Sequence, residues 1–220
     1  MIEHEELVSS VDEIQQIAQK LEQETIIAFD TEFIRETTFF PQLEIIQVAT
    51  DKESWLVDFA AFESRGKVRE ELAPLISVFE NKKILKILHA AQGDQECLFY
   101  SLQTTAKRTL DTAVAASLIG IGDGVGLASL LKTVLWVEIK KGHARTNWAA
   151  RPLSKHLRTY AHADVTHLVK LGRSLLEKLE ELGILKREGS EMKIVAHNLH
   201  LSRESKEYMA WNNQLRLAGI

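Results

Sequence analysis

Four carboxylates and one tyrosine in this 220-residue chain stand where their side chains could do chemistry. The apolar run 25–29 stops at Asp30, and Glu32 follows two residues later, at the end of a strand-like segment. Side chains alternate along a strand, so Asp30 and Glu32 share a face and Thr31 takes the other. Asp94 lies near the start of a helix, just past the buried strand ILKIL (84–88). Asp164 sits mid-helix on an otherwise apolar face, with Tyr160 four residues earlier on that face. A carboxylate on a buried face is costly unless it is paired or bound to a metal. Taken singly, each residue has a structural reading: Asp30 in a turn, Asp94 as a cap, Asp164 as a satisfied core acid, Tyr160 as core. As a set they offer oxygen donors only, with no histidine or cysteine cluster at ligand spacing, which suits Mg²⁺ or Mn²⁺. Two such ions about 4 Å apart suit in-line displacement at phosphorus. A tyrosine hydroxyl near the attacking water would orient it or help take its proton.

The elements that must hold these residues follow from periodicity. Residues 11–23 read as an amphipathic helix on Val11, Ile14, Ile17, Ala18 and Leu21. Strands are expected at 25–30, 43–49 and 54–59, then a helix over 67–79 with Pro74 as a possible kink. A buried strand over 84–88 leads to a helix over 92–102, and 107–110 fits a short fifth strand. Asp111 reads as the cap of the next helix. The G-x-G-x-G-x-G run at 120–126 follows a helix, not a strand, and reads as a loop instead of a dinucleotide fingerprint. A helix spans 127–136. From Pro152 or Ser154 one apolar face runs to about Leu182 as a single long helix. The tail after residue 182 changes character, with a helix expected from Ser202. Three early strands followed by alternating helices and strands predict a mixed sheet with helices packed on it.

Composition bounds the function. Hydrophobic residues at 45% and charged residues at 26% are ordinary for a soluble globular chain, and no apolar run approaches a membrane span. The acidic N-terminus lacks the basic region of a secretory signal, and the single cysteine, Cys97, excludes an internal disulfide. Together these predict a cytoplasmic protein without membrane contact. Charge is unevenly spread. Residues 1–24 carry seven acids against Lys20, whereas residues 132–173 carry nine bases against Glu138 and Asp164. A basic segment on a chain of net charge −4 suggests one face that meets an anion. The sequence carries no indication of oligomeric state.

Three motifs in order give the chain a resemblance. FDTEFIRETTFFPQLEIIQVA carries a D-x-E core with the following aromatic and PQL-x-x-IQ, ILHAAQGDQECL carries H-A-x-x-x-D, and YAHADVTHL carries Y-x-x-x-D. Between them lie LDTAVAASL and RTNWAARPLS. From about Glu24 to Leu182 the chain resembles ribonuclease D and the tyrosine subgroup of the DEDD 3′–5′ exonucleases. The resemblance implies a ribonuclease H-like α/β fold: a mixed sheet of about five strands, one antiparallel, with helices on both faces. It implies two divalent ions, Mg²⁺ or Mn²⁺. Asp30, Glu32 and Asp164 would hold the ion that activates water, Asp30 would bridge to the second, and Asp94 would support that one. Tyr160 would position the nucleophile. Thr159 stands where histidine-type relatives carry histidine, and His162 and His167 read as neighbours of the site. Phe33 would stack on a terminal base, and Gln47 and His89 would face the site. Lys141, Arg145 and Arg151 would meet backbone phosphates. The expected partner is a single-stranded nucleic-acid 3′ end, with RNA favoured over DNA. Asn147 replaces the aspartate usual before Trp148. Residues 1–186 would form the exonuclease domain, and 187–220 a helical tail too short for the nucleic-acid-binding domain that follows in ribonuclease D.

Overall fold

A strand that its acidic composition hides opens the chain: β1 (Ile2–Val8) runs ahead of helix α1 (Val11–Glu22). The protein is described by a computed structural model covering residues 1–35, 39–139, 146–188 and 191–194. Ser10 and Glu13 start α1 by a reciprocal capping box, each bonding to the other's backbone N–H. Strands β2 (Ile26–Ile34), β3 (Gln42–Ala49) and β4 (Glu53–Asp58) follow as a meander. Short helices α2 (Phe59–Glu63), α3 (Val68–Glu71) and α4 (Ala73–Glu80) come next. Strand β5 (Leu85–Leu88) leads into α5 (Gln92–Leu102), and β6 (Thr109–Asp111) into α6 (Thr112–Leu118) and α7 (Leu127–Leu135). Helices α8 (Lys155–Thr166) and α9 (Leu168–Glu181) precede a hairpin of β7 (Leu185–Glu188) and β8 (Glu191–Ile194).

Among the described residues the main sheet has six strands in the order β1-β4-β3-β2-β5-β6, and β3 alone of these runs against the rest. This is the mixed sheet expected from the sequence, with one more strand than counted there. Its two faces are covered separately. Ile27, Phe29, Ile46, Val48 and Val57 pack with α1, α2, α4 and α5. On the opposite face Ala28, Ala49 and Ile87 lie under α6, α7 and α9, while Ile45 and Leu56 lie under α8. Helix α9 crosses β5 so closely that a Cβ on Gly172 would lie 2.8 Å from the Ile87 side chain. Only glycine lets the two backbones approach that far.

Three boundaries differ from the sequence reading. The long helix expected from Ser154 to Leu182 is two helices that meet at His167. The helix expected over 67–79 is likewise divided at Leu72, and Pro74 lies in the first turn of α4, where its missing N–H costs nothing, so it does not kink a continuous helix. Most consequential, β2 does not end at Asp30. It runs on to Ile34, so Asp30 and Glu32 are strand residues rather than turn residues. The helix expected from Ser202 lies outside the described residues.

Candidate active site

The site forms where β2 outruns β5. Their pairing stops at Ala28 opposite Ile87, while β2 continues against β3 as far as Ile34 opposite Gln42. From Phe29 onward one edge of β2 therefore has no strand beside it among the described residues. The chain leaving β5 fills the space. It turns through Ala90, held at φ 56°, and starts α5. Asp111 secures that turn: its carboxylate accepts from the backbone N–H of Ala90 (3.0 Å) and Ala91 (2.9 Å) as well as Ala113 (2.8 Å). One cap thus fixes the starts of two helices. Asp94, in the first turn of α5, then meets the open edge of β2. It accepts from the Thr31 hydroxyl at 2.6 Å and from the Thr31 backbone N–H, which a further strand would otherwise have taken.

Alternation along β2 sends Thr31 and Phe33 toward α5, and Asp30 and Glu32 toward the face covered by α8. Ser154 caps α8 by accepting from Leu157 N–H at 3.3 Å, and the helix lies across β4, β3 and β2. Its buried side presents Tyr160 and Asp164 one turn apart, with the Tyr160 hydroxyl donating to Asp164. Asp94 reaches Asp30 around the open edge, and the two carboxyls bond to each other. The five residues singled out from the sequence are thereby brought together from three elements on two sides of the sheet.

The electrostatics follow from that crowding. Burial first, then the charges of Asp94, Asp164 and Glu32, hold the Asp30 carboxyl well above the usual carboxylate range. Burial, with Asp164 adding to it, pushes Glu32 up to about 8, while the Gln47 amide pulls it back. Burial likewise raises Asp94 and Asp164 to about 6 each, the Thr31 and Tyr160 bonds opposing it. The Tyr160 hydroxyl is raised by burial and by the Asp164 charge, so it keeps its proton. Among the described residues no three such groups already close on one point as a finished chelate. Instead Thr31, Gln47 and Tyr160 hold the carboxyls at their places. Four oxygen-donor acids made costly by burial and by one another are a donor set that a hard divalent cation would discharge.

The expected substrate contacts fare differently. Phe33 is half-buried beside the site, its ring 3.4 Å from where a Cβ on Gly93 would lie. Gln47 is fully buried and cannot touch a substrate. Its Nε2 donates to Glu32 at 3.3 Å and its Oε1 has no partner among the described residues. His89 is turned away toward α6, with Nδ1 2.9 Å from the Thr112 hydroxyl, and burial lowers its pKa. Arg151 is bound to Asp58, Nε to Oδ2 at 3.0 Å and Nη2 to Oδ1 at 2.6 Å, so it is not free to meet a phosphate. Lys141 and Arg145 lie outside the described residues. His162 is a buried neighbour, its ring between the Ser54 hydroxyl (2.8 Å) and the His4 carbonyl (3.2 Å). Thr31 went unrecognised in the sequence, although a polar residue at a core-facing strand position was a usable signal.

The family model for 3′–5′ exonucleases matches residues 6–180. The chain belongs to that family. Among curated relatives of this exonuclease domain, ribonuclease D of Gluconacetobacter diazotrophicus is 34% identical over 190 residues, covering 86% of this chain and 47% of the relative. The chain spans about half the length of the curated relatives it matches. Escherichia coli RNase D superposes with a TM-score of 0.77 at 24% identity, covering 98% of this chain and 51% of that one. Brucella melitensis NrnC is also similar. Its complex with pGG gives a TM-score of 0.63 at 25% identity, over 72% of this chain and 75% of that one. Its form with bound Mg²⁺ gives 0.66 at 20%, over 90% and 85%.

Proposed function

We propose that this domain is a metal-dependent 3′–5′ exoribonuclease that releases 5′-mononucleotides from single-stranded RNA ends. The observation that carries the reading is the convergence of Asp30, Glu32, Asp94 and Asp164 around a tyrosine bonded to one of them. Residues 1–186 are taken as the exonuclease domain and 187–220 as a tail. Among the described residues no helix is long and apolar enough to cross a membrane.

Two divalent ions, Mg²⁺ or Mn²⁺, would be held by Asp30, Glu32, Asp94 and Asp164. When bound, they supply Lewis acidity to water and to the phosphate oxygens. The protein's own groups set the geometry. Thr31 fixes Asp94 through two bonds, and Gln47 fixes Glu32, so neither carboxylate has to be ordered when substrate arrives. In the metal-free site burial and the Asp164 charge keep the Tyr160 hydroxyl protonated, and there it would orient the attacking water by hydrogen bonding. Phe33 offers a ring beside the acids on which a 3′-terminal base would stack.

The names of the relatives favour RNA. NrnC bound to pGG supports a second reading, a trimmer of very short RNA, because the likeness there spans three-quarters of that chain. RNA and DNA of one sequence, labelled at the 5′ end and digested with Mn²⁺ across a length series, test both. Shortening of RNA from the 3′ end is expected, with Asp30→Asn inactive. Equal digestion of DNA, or full activity in Asp30→Asn, would overturn the assignment. Turnover confined to the shortest RNAs would select the second reading.

A further inference from the structure

We propose that Arg151 is a positioning residue that sets Tyr160 through Trp148, and that it makes no contact with RNA. A guanidinium has five N–H donors in a fixed fork. Here all five are taken. Nε and Nη2 grip Asp58, Nη1 donates to the carbonyls of Trp148 (2.6 Å) and Ala150 (3.0 Å), and the second Nη2 hydrogen points at the Glu44 carbonyl (3.5 Å). The Glu44 carboxylate stands 3.7 Å from Nη2. No donor is left for a phosphate oxygen.

What the fork does hold is a turn of backbone. Asp58 ends β4, and Glu44 is the extra residue where the β2–β3 register shifts, between Ile45 opposite Glu32 and Leu43 opposite Phe33. Arg151 therefore ties the segment 148–150 to two strands of the sheet, one of them paired directly with the strand that carries Asp30 and Glu32. That segment carries Trp148, which is buried among Ile45, Leu56, Leu153 and Ala161. Its ring lies 6.1 Å from the Tyr160 ring at 37°. Trp148 is thus a wall against which the phenol rests, and the phenol's far end donates to Asp164. Pushing the wall moves the hydroxyl.

This inference rests on the proposed role of Tyr160, and its test separates the two. Arg151→Gln and Asp58→Asn break the clasp from either side, and Arg151→Lys keeps the charge without the fork. Each is measured alone and with Tyr160→Phe, for kcat, KM and the salt dependence of RNA binding. In Arg151→Gln, kcat is expected to fall by about 10- to 100-fold while KM and the salt slope stay put. In the Tyr160→Phe background the same change should cost little more. Independent, additive losses, or a raised KM with a smaller salt slope, would mean a phosphate contact and overturn the proposal. A second readout does not depend on turnover. The chain has three tyrosines, and 3-fluorotyrosine labelling resolves Tyr160 as the ¹⁹F signal absent from Tyr160→Phe. Arg151→Gln should shift that signal and leave the Tyr100 signal in place, which also shows that the fold survives. An unmoved Tyr160 signal would end the inference. If Tyr160→Phe is fully active while Asp30→Asn is dead, the role given to Tyr160 fails, and the ¹⁹F shift still decides whether Arg151 sets its position.

Discussion

Thr31 is the residue on which the acidic cluster turns. It sits between two of the acids in sequence yet faces away from both, and through its hydroxyl and backbone it holds a third. Replacing it with valine keeps the shape and removes the hydroxyl donor. Thr31→Val is expected to weaken Mn²⁺ binding or activity by roughly 10- to 100-fold, as loss of a ligand-orienting partner does. Calorimetric titration of the metal-free protein would measure this, and unchanged affinity would show that Asp94 needs no such support. At this scale the sequence was legible where chemistry conflicted with surroundings. Asp164 stood out because carboxylates rarely occupy apolar faces, and Asp94 because it follows a buried strand at the start of a helix. Gln47, His89 and Arg151 were harder to assign, because a polar residue beside a motif can face either the site or the scaffold. Only the partners, Glu32, Thr112 and Asp58, decide which.

At the scale of elements, legibility depended on how strongly burial constrains each one. Strand β5 is buried throughout, and α5 was placed from its sequence at the residues it occupies. Strand β1 was missed because it is an edge strand, paired on one side with β4, and tolerates the acids of IEHEELV. The division at His167 was missed because the apolar period continues across it, and no capping side chain marks the start of α9. The end of β2 was misread because acids look like a turn unless the neighbouring strand is known to stop short. One close approach gives the sharpest prediction here. Gly172→Ala would force a methyl group against Ile87 and is expected to destabilise the fold by about 1–3 kcal/mol, read from chemical denaturation midpoints. A pair with Ile87→Ala should cost less than the two single changes added together, because it removes all three atoms at the point of collision.

For the whole molecule, the cost of assembling the acids appears as a pH dependence. Carboxyls of an unfolded chain titrate near about 4, whereas Asp94 and Asp164 titrate near about 6 and Glu32 near about 8 in the fold. In that window the folded state binds more protons than the unfolded state, so stability falls as pH rises. The contribution is complete below about pH 4, is mostly lost for Asp94 and Asp164 by about pH 6, and goes for Glu32 through about pH 8. The metal-free protein should therefore melt at progressively lower temperature between pH 5 and 7, above which the buried Lys86 ammonium, lowered by burial to about 7, opposes the Glu32 contribution. Millimolar Mg²⁺ should flatten that slope, raising the melting temperature more at pH 8 than at pH 5. Parallel melting curves with and without the ion at every pH would argue against a shared cation site.

The short reach of β5 also imposes an order in time. Asp94 is brought to the Thr31 amide and hydroxyl only when β5 has paired as far as Ala28 and α5 has wound beside the remaining edge of β2. Asp164 arrives on α8, 134 positions after Asp30, so the acids meet only when distant parts of the chain have docked. Like charges gain nothing from meeting early. The cluster should then be absent from the folding transition state, and a bound ion should slow unfolding while leaving the refolding rate almost unchanged. Stopped-flow chevrons with and without Mg²⁺ would show the shift confined to the unfolding limb. A faster refolding limb would mean that the ion gathers the acids before the sheet is complete.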